Sequence, residues 1–297
     1  MTTTLKVNSL EDVLEKAVLE AIRVASIKLP EDVRKAIEEA LRREESETAK
    51  HQLSTMLENA REAERQGKPI CQDTGLMTFF VRVGREFPGI GIIERAITSA
   101  TRRATVEIPL RPNTVHPLTG ENPGDNTGRL IPCIHWEITG GDKLEITVVP
   151  KGGGSEGVTV LELPPPGEGV RALKRIVVDA VLKAGGKPCP PTIVGVGVGG
   201  GCELAVLLAK KAACLRKIGS RNPEDHVALL EDKLLNALNE LGIGPMGLGG
   251  KTTVLDVHIE YAHRHPATYP VAVAFQCWAA RRATVLIDPS GSFRITQ

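Results

Sequence analysis

Leu10, Val13, Leu14, Ala17, Val18, Ala21 and Ile22 recur at the three-and-four spacing of one helical face. Ser9 precedes them, with Asp12 three residues on, a capping-box pattern that predicts a helix start here. Pro30 suits the first turn of a second helix bearing Val33, Ile37 and Leu41, and a third helix over about 46–66 aligns Leu53, Met56 and Leu57. The texture changes at Gly67. KPICQDTGLMTFFVRVG predicts a loop running into a strand, residues 90–106 a helix, and 109–128 a long polar loop rich in Pro, Gly and Asn. Two strands follow, IPCIHWEI and KLEITVVP, joined by TGGD. Helices are predicted at 170–184, 203–216 and 223–241, with a short strand in PCPPTIVGVGVGGG and further strands towards the C-terminus. Strands and helices mix without a clean βαβ period, which predicts an α+β fold. The expected organisation is a helical segment, 1–66, packed on a main α+β domain, 67–297, whose loops converge on a cofactor.

Composition narrows the function. Lys plus Arg number 37 against 36 Asp plus Glu, and aromatics make up 3%, so neither a basic surface nor a stacking platform for nucleic acid is indicated. No apolar run approaches the ~18 residues of a spanning helix. The N-terminal stretch MTTTLKVNSLEDVLEKAV lacks the basic-then-apolar signature of a leader, so a cytoplasmic location is expected. There the six cysteines are expected to be reduced, and none forms a CxxC pair.

Three motifs invite nucleotide or metal chemistry and fail on context. Gly195-Val-Gly197-Val-Gly199-Gly200 matches GxGxxG, but the helix after it runs into further helix where a dinucleotide fold needs a strand. The better reading is that these glycines let the backbone pass close to a packed helix or a ligand. GPMGLGGKT lacks the phosphate-loop glycine at position 245, which is Pro, and follows a helix. His263 and His265 form an HxH pair with no third ligand nearby, which favours hydrogen bonding or acid–base work over metal binding.

The cysteines divide by setting. Cys202 and Cys214 on an apolar helix and Cys133 in a strand are expected to fill core. Cys71 precedes the polar turn Gln72-Asp73-Thr74-Gly75, Cys189 sits in Lys-Pro-Cys-Pro-Pro, and Cys277 lies at a strand end before Trp278, Arg281 and Arg282. Three thiolates from three loops do not close a tetrahedral zinc site. They can hold a cubane iron–sulfur cluster with one iron free of protein ligands, a Lewis acid suited to removing hydroxide from carbon.

CQDTG at 71–75, GDNTG at 124–128, KGGGSE at 151–156, CPPTIVGVGVGG at 189–200, GPMGLGGKTT and HIEYAHRHPATYPVAV together resemble the alpha portion of class I fumarases, a family that includes L-tartrate dehydratases. The resemblance implies a [4Fe-4S] cluster on Cys71, Cys189 and Cys277, with one iron not ligated by protein. It implies substrate contacts from Gln72, Arg111, Gly153 and Gly154, and acid–base roles for Asp73 and His265. An arginine can clamp a carboxylate bidentately, and a glycine loop can offer backbone N–H donors to another. Family members carry a second domain implied to supply the remaining basic ligands and the catalytic base. This chain therefore resembles an alpha subunit, expected to need a beta subunit for activity and to form a homodimer of alpha chains within a heterotetramer. The implied reaction is reversible hydration of fumarate to (S)-malate. The same chemistry on L-tartrate is an alternative, and a non-catalytic iron–sulfur or sensor protein is another, which would not need Gln72, Asp73, Arg111 and His265.

Overall fold

The computed structural model describes residues 9–297. The first eight residues of the stretch read for a leader, MTTTLKVN, lie outside the described residues, and with them the start of the expected 1–66 helical segment. The fold is α+β, and the described strands form two sheets. The chain forms two compact units, neither contiguous in sequence: the described part of Met1–Lys28 with Ala63–Lys151 and Arg281–Gln297, and Leu29–Glu62 with Gly152–Ala280. No described helix is long and apolar enough to cross a membrane.

The first unit holds α1 (Leu10–Ile27), β1 (Leu76–Gly84), α4 (Ile90–Glu107), β2 (Cys133–Thr139), β3 (Leu144–Lys151), β8 (Ala283–Ile287) and β9 (Phe293–Thr296). Ser9 caps α1 as its sequence predicts: its Oγ accepts from Asp12 N–H, and the Asp12 carboxylate accepts from Ser9 N–H. The sheet order is β2-β1-β3-β8-β9. The strands joined by TGGD are not neighbours, because β1 lies between them, parallel to β2 and antiparallel to β3. One sheet face, with Phe79, Val81, Val83, Ile146, Val148 and Val285, packs against Leu14, Val18 and Ile22 of α1 and Ile93 and Ile97 of α4.

The second unit contains α2 (Glu31–Arg43), most of α3 (Glu47–Gln66), α5 (Gly153–Glu156), β4 (Val160–Glu162), α6 (Gly169–Ala184), β5 (Thr192–Val198), α7 (Cys202–Leu215), α8 (Asp225–Asn239), β6 (Val254–Tyr261) and β7 (Val271–Gln276). Pro30 caps α2 rather than entering its first turn. The sheet order is β4-β7-β5-β6, with β5 and β6 parallel. Along β5, Val194 and Val196 enter the core shared with α6 and α8. Gly195 and Gly197 face α7 instead. A Cβ at Gly195 would lie 2.1 Å from the Ala209 carbonyl, and one at Gly197 would lie 1.9 Å from the Ala205 carbonyl. These glycines thus serve close helix-on-strand packing, as their sequence context suggests. Cys214 is buried as expected, but Cys202 is exposed. It occupies the first position of α7, where the chain enters the helix before its apolar face begins.

Candidate active site

In the first unit, Cys71-Gln72-Asp73-Thr74-Gly75 turns from the end of α3 into β1. Gly75 has φ +83°, and a Cβ there would meet the Pro150 carbonyl carbon at 2.6 Å, so the turn lies hard against the end of β3. The long polar loop is fastened to this turn. Asn113 Nδ2 donates to Asp73 Oδ1 at 3.2 Å and to Thr74 Oγ1 at 3.3 Å, and Thr74 Oγ1 donates to the Arg111 carbonyl at 3.2 Å. Asn126, at φ +59°, accepts from Asn113 N–H at 2.7 Å and donates to the Arg111 carbonyl at 3.1 Å. The Arg111 backbone is therefore fixed beside Asp73 while its side chain and that of Gln72 are exposed. Asp73 Oδ1 also accepts from Gly75 N–H at 2.9 Å. Burial pushes the nearby Asp125 carboxyl up, but hydrogen bonds from Thr127 and Arg102 outweigh it and hold the group below the usual range.

Arg281 was not singled out for this turn by sequence, yet it belongs to it. Its Nη2 donates to the Asp73 carbonyl at 3.0 Å. The residue is 2% exposed, and its Nε and Nη1 have no hydrogen-bond partner. A buried guanidinium with two unanswered edges is costly, and an anion is what relieves it. The asparagines that pin the loop were also missed. The signal for Asn126 was available in GDNTG, because asparagine adopts a left-handed backbone more readily than most residues.

In the second unit, Cys189 has φ +53° and follows the turn closed by its own N–H donating to Gly186 O at 3.1 Å. Its carbonyl accepts from Trp278 N–H at 3.1 Å, which brings the neighbouring Cys277 to the same end of the sheet. Both thiols are partly exposed. The glycine loops collect at this end. A Cβ at Gly154 would lie 2.9 Å from the Lys187 carbonyl, and Met246 N–H donates to Pro190 O at 2.8 Å. GPMGLGG thus serves as a buttress for the cysteine turn.

His265 lies elsewhere. β7 runs antiparallel to β5, with Gln276 opposite Ile193 and Val271 opposite Val198. Cys189 and Cys277 therefore sit at one end of β5, and the histidine loop sits at the other, about 20 Å along a strand of this length. The loop wraps Arg264, whose Nη1 donates to the carbonyls of His265, Pro266 and Thr268 and whose guanidinium lies 5.1 Å over the Tyr269 ring. His265 Nδ1 accepts from Ala267 N–H at 3.1 Å, leaving Nε2 as the outward donor of the neutral ring.

The structure thus groups Cys71, Gln72, Asp73 and Arg111 within one unit, and Cys189, Cys277 and Gly154 within the other. Among the described residues no three His, Cys, Asp or Glu side chains close on a single metal ion. A cubane spaces its thiolates more widely than one ion does. Partly exposed thiols, Cys71 in the first unit and Cys189 and Cys277 in the second, are the donor type a thiolate-bound cluster takes.

The model of the fumarate hydratase (Fumerase) family matches residues 15–286, and the chain belongs to that family. Among similar proteins, the putative L(+)-tartrate dehydratase subunit alpha of Methanocaldococcus jannaschii is 45% identical over 91% of this chain and 96% of its own length. The L(+)-tartrate dehydratase subunit alpha of Escherichia coli K12 is 40% identical over 90% of this chain and 88% of its own.

Proposed function

We propose that this chain is the alpha subunit of an iron–sulfur hydro-lyase that dehydrates a 2-hydroxy dicarboxylate, with Cys71, Cys189 and Cys277 as the cluster ligands. The observation that carries the reading is the family match, which spans every candidate residue from Cys71 to Cys277. L-Tartrate is the favoured substrate, because both relatives above are named for it. Hydration of fumarate to (S)-malate is the second reading, supported by the description of the family.

When bound, a [4Fe-4S] cluster with one iron free of protein ligands supplies Lewis acidity for loss of hydroxide. The chain's own residues do the rest. Arg111 grips one substrate carboxylate through two parallel hydrogen bonds, and the Gln72 amide orients the hydroxyl. The backbone N–H groups of Gly153 and Gly154 hold the other carboxylate. Asp73, oriented by Gly75 and Asn113, delivers a proton to the departing oxygen. The carbon-bound proton goes to a base of the beta partner, so the alpha chain alone is inactive or nearly so. His265 takes part only where a second copy presents it, since in its own unit it stands at the far end of the sheet from Cys189 and Cys277.

The test is anaerobic iron and sulfide analysis together with turnover of L-tartrate and (S)-malate, with and without the beta partner. Cys277→Ser and Cys189→Ser are each expected to lose most of the iron. Arg111→Ala is expected to keep the iron and lose about 100-fold or more in turnover, roughly 3 kcal/mol of barrier. Unchanged iron in both serine variants would remove the cluster assignment. Full activity of Arg111→Ala would remove the carboxylate clamp.

A further inference from the structure

We propose that the outer edge of β2 pairs antiparallel with the same edge of a second copy of this chain, across a twofold axis at Trp136. Among the described residues β2 ends its sheet, with β1 on one side and no described strand on the other. It is seven residues long, whereas the terminal strands β9 and β4 have four and three; β6, of eight residues, also ends its sheet, but the side chains of Asn222, Glu231 and Asn239 bond its outer backbone. Proteins blunt exposed edges by keeping them short or by placing Lys or Pro in them. β2 reads Cys-Ile-His-Trp-Glu-Ile-Thr and has neither, in a chain with 37 Lys and Arg.

The apolar row of the sheet runs past this edge. Phe79, Val81 and Val83 of β1 are buried in the core, and their register partners in β2 are Ile134, Trp136 and Ile138. Ile134 packs on that core, but Trp136 is 44% exposed and Ile138 72% exposed. Leu130, just upstream, is 85% exposed and held at φ +61°, a left-handed conformation that a leucine rarely adopts.

The strand is complementary to itself in one register. With Trp136 opposite Trp136 of the second copy, Ile134 faces Ile138 and Ile138 faces Ile134, which continues the apolar row. On the other face His135 meets Glu137 of the second copy, an imidazole opposite a carboxylate that also accepts from Arg82 Nε of its own chain at 3.3 Å, and Glu137 meets His135. Sliding one strand by two residues either sets Glu137 against its own copy, like charge against like, or sets His135 against His135 and loses both His–Glu pairs. Sliding by one puts the apolar row of each strand on the opposite face from its partner's. Such an interface is isologous and closes with two copies. It gives the expected alpha homodimer a surface and does not depend on the catalytic reading.

The test uses the full chain. Light scattering of the wild type should give an assembly whose copy number Ile138→Lys halves, with the dissociation constant raised at least about tenfold and far-UV circular dichroism unchanged. An exposed site outside the core keeps that variant folded. As a second probe, Thr139→Cys is oxidised, and the disulfide between Cys133 and the new thiol is sought by peptide mass spectrometry. In one copy those positions lie about 20 Å apart along a strand, beyond disulfide reach, so the link must join two copies. A monomeric wild type, an assembly unmoved by Ile138→Lys, or no such disulfide overturns the proposal. So does a lysine variant that keeps its alpha assembly and loses only the beta partner, which would give this edge to the other subunit.

Discussion

Arg281 is the residue whose surroundings say most about the site, because a charge buried with two open N–H edges has to be answered by something. Replacing an uncompensated buried cation with an apolar side chain of similar length is neutral or stabilising. Arg281→Met in the cluster-free chain should therefore leave stability to urea unchanged or raise it by ~1–3 kcal/mol. In the assembled enzyme the same variant should retain less iron and turn over more slowly. Lower stability without any functional loss would make Arg281 purely structural. Glu44 shows the opposite logic. Burial pushes its carboxyl up, but backbone N–H donors from Ser46, Glu45, Lys251 and Thr252 outweigh it and hold the group below the usual range. A depressed carboxyl stabilises the fold above its unfolded value, about 4.3, and that contribution is lost as pH falls through the lower folded value. Glu44→Gln should cost about 2 kcal/mol at pH 7. The gap from wild type should close as the pH is taken below 4 in a series of denaturant titrations.

At the scale of elements, most helices were legible because their apolar positions repeat at 3.6 residues, and the α1 cap was legible because capping is local. Strand partnership was not. TGGD looks like a hairpin turn, yet β1 enters between β2 and β3, because the Met77–Val83 row completes the core face that α1 and α4 cover. The β5 glycines are a case where the sequence offered a nucleotide motif and packing supplied another reason. Gly197→Ala would drive a methyl into the Ala205 carbonyl, a backbone atom that cannot swing aside. A loss of about 3 kcal/mol or more in unfolding free energy is expected. A cost below 1 kcal/mol would mean α7 can retreat from the strand. Asn126→Ala should free the long loop from Arg111 and Asn113. The expected result is a raised KM for the dicarboxylate with iron content unchanged.

Across the whole molecule, each compact unit is assembled from distant stretches, and β8 and β9 complete a sheet begun by β1 some two hundred residues earlier. A chain ended at residue 280 would lose those strands and Arg281 together. It should show no cooperative unfolding of the first unit, measured by hydrogen exchange at the α1 and β1 amides. The sequence by itself determined the α+β class, the helices, the shortlist of cysteines and the family, because periodicity, capping and motif chemistry are written in neighbouring residues. It also named Gln72, Asp73 and Arg111 as companions of Cys71, and the structure ties Asp73 and the Arg111 backbone into one hydrogen-bonded network. Only the tertiary structure decided that Arg281 is buried against the Asp73 carbonyl, that Asn113 and Asn126 moor the loop, and that His265 stands a sheet's length from Cys189 and Cys277. Those are matters of which strand runs beside which and in what direction, and they depend on how distant apolar rows meet to exclude water, which no local pattern encodes.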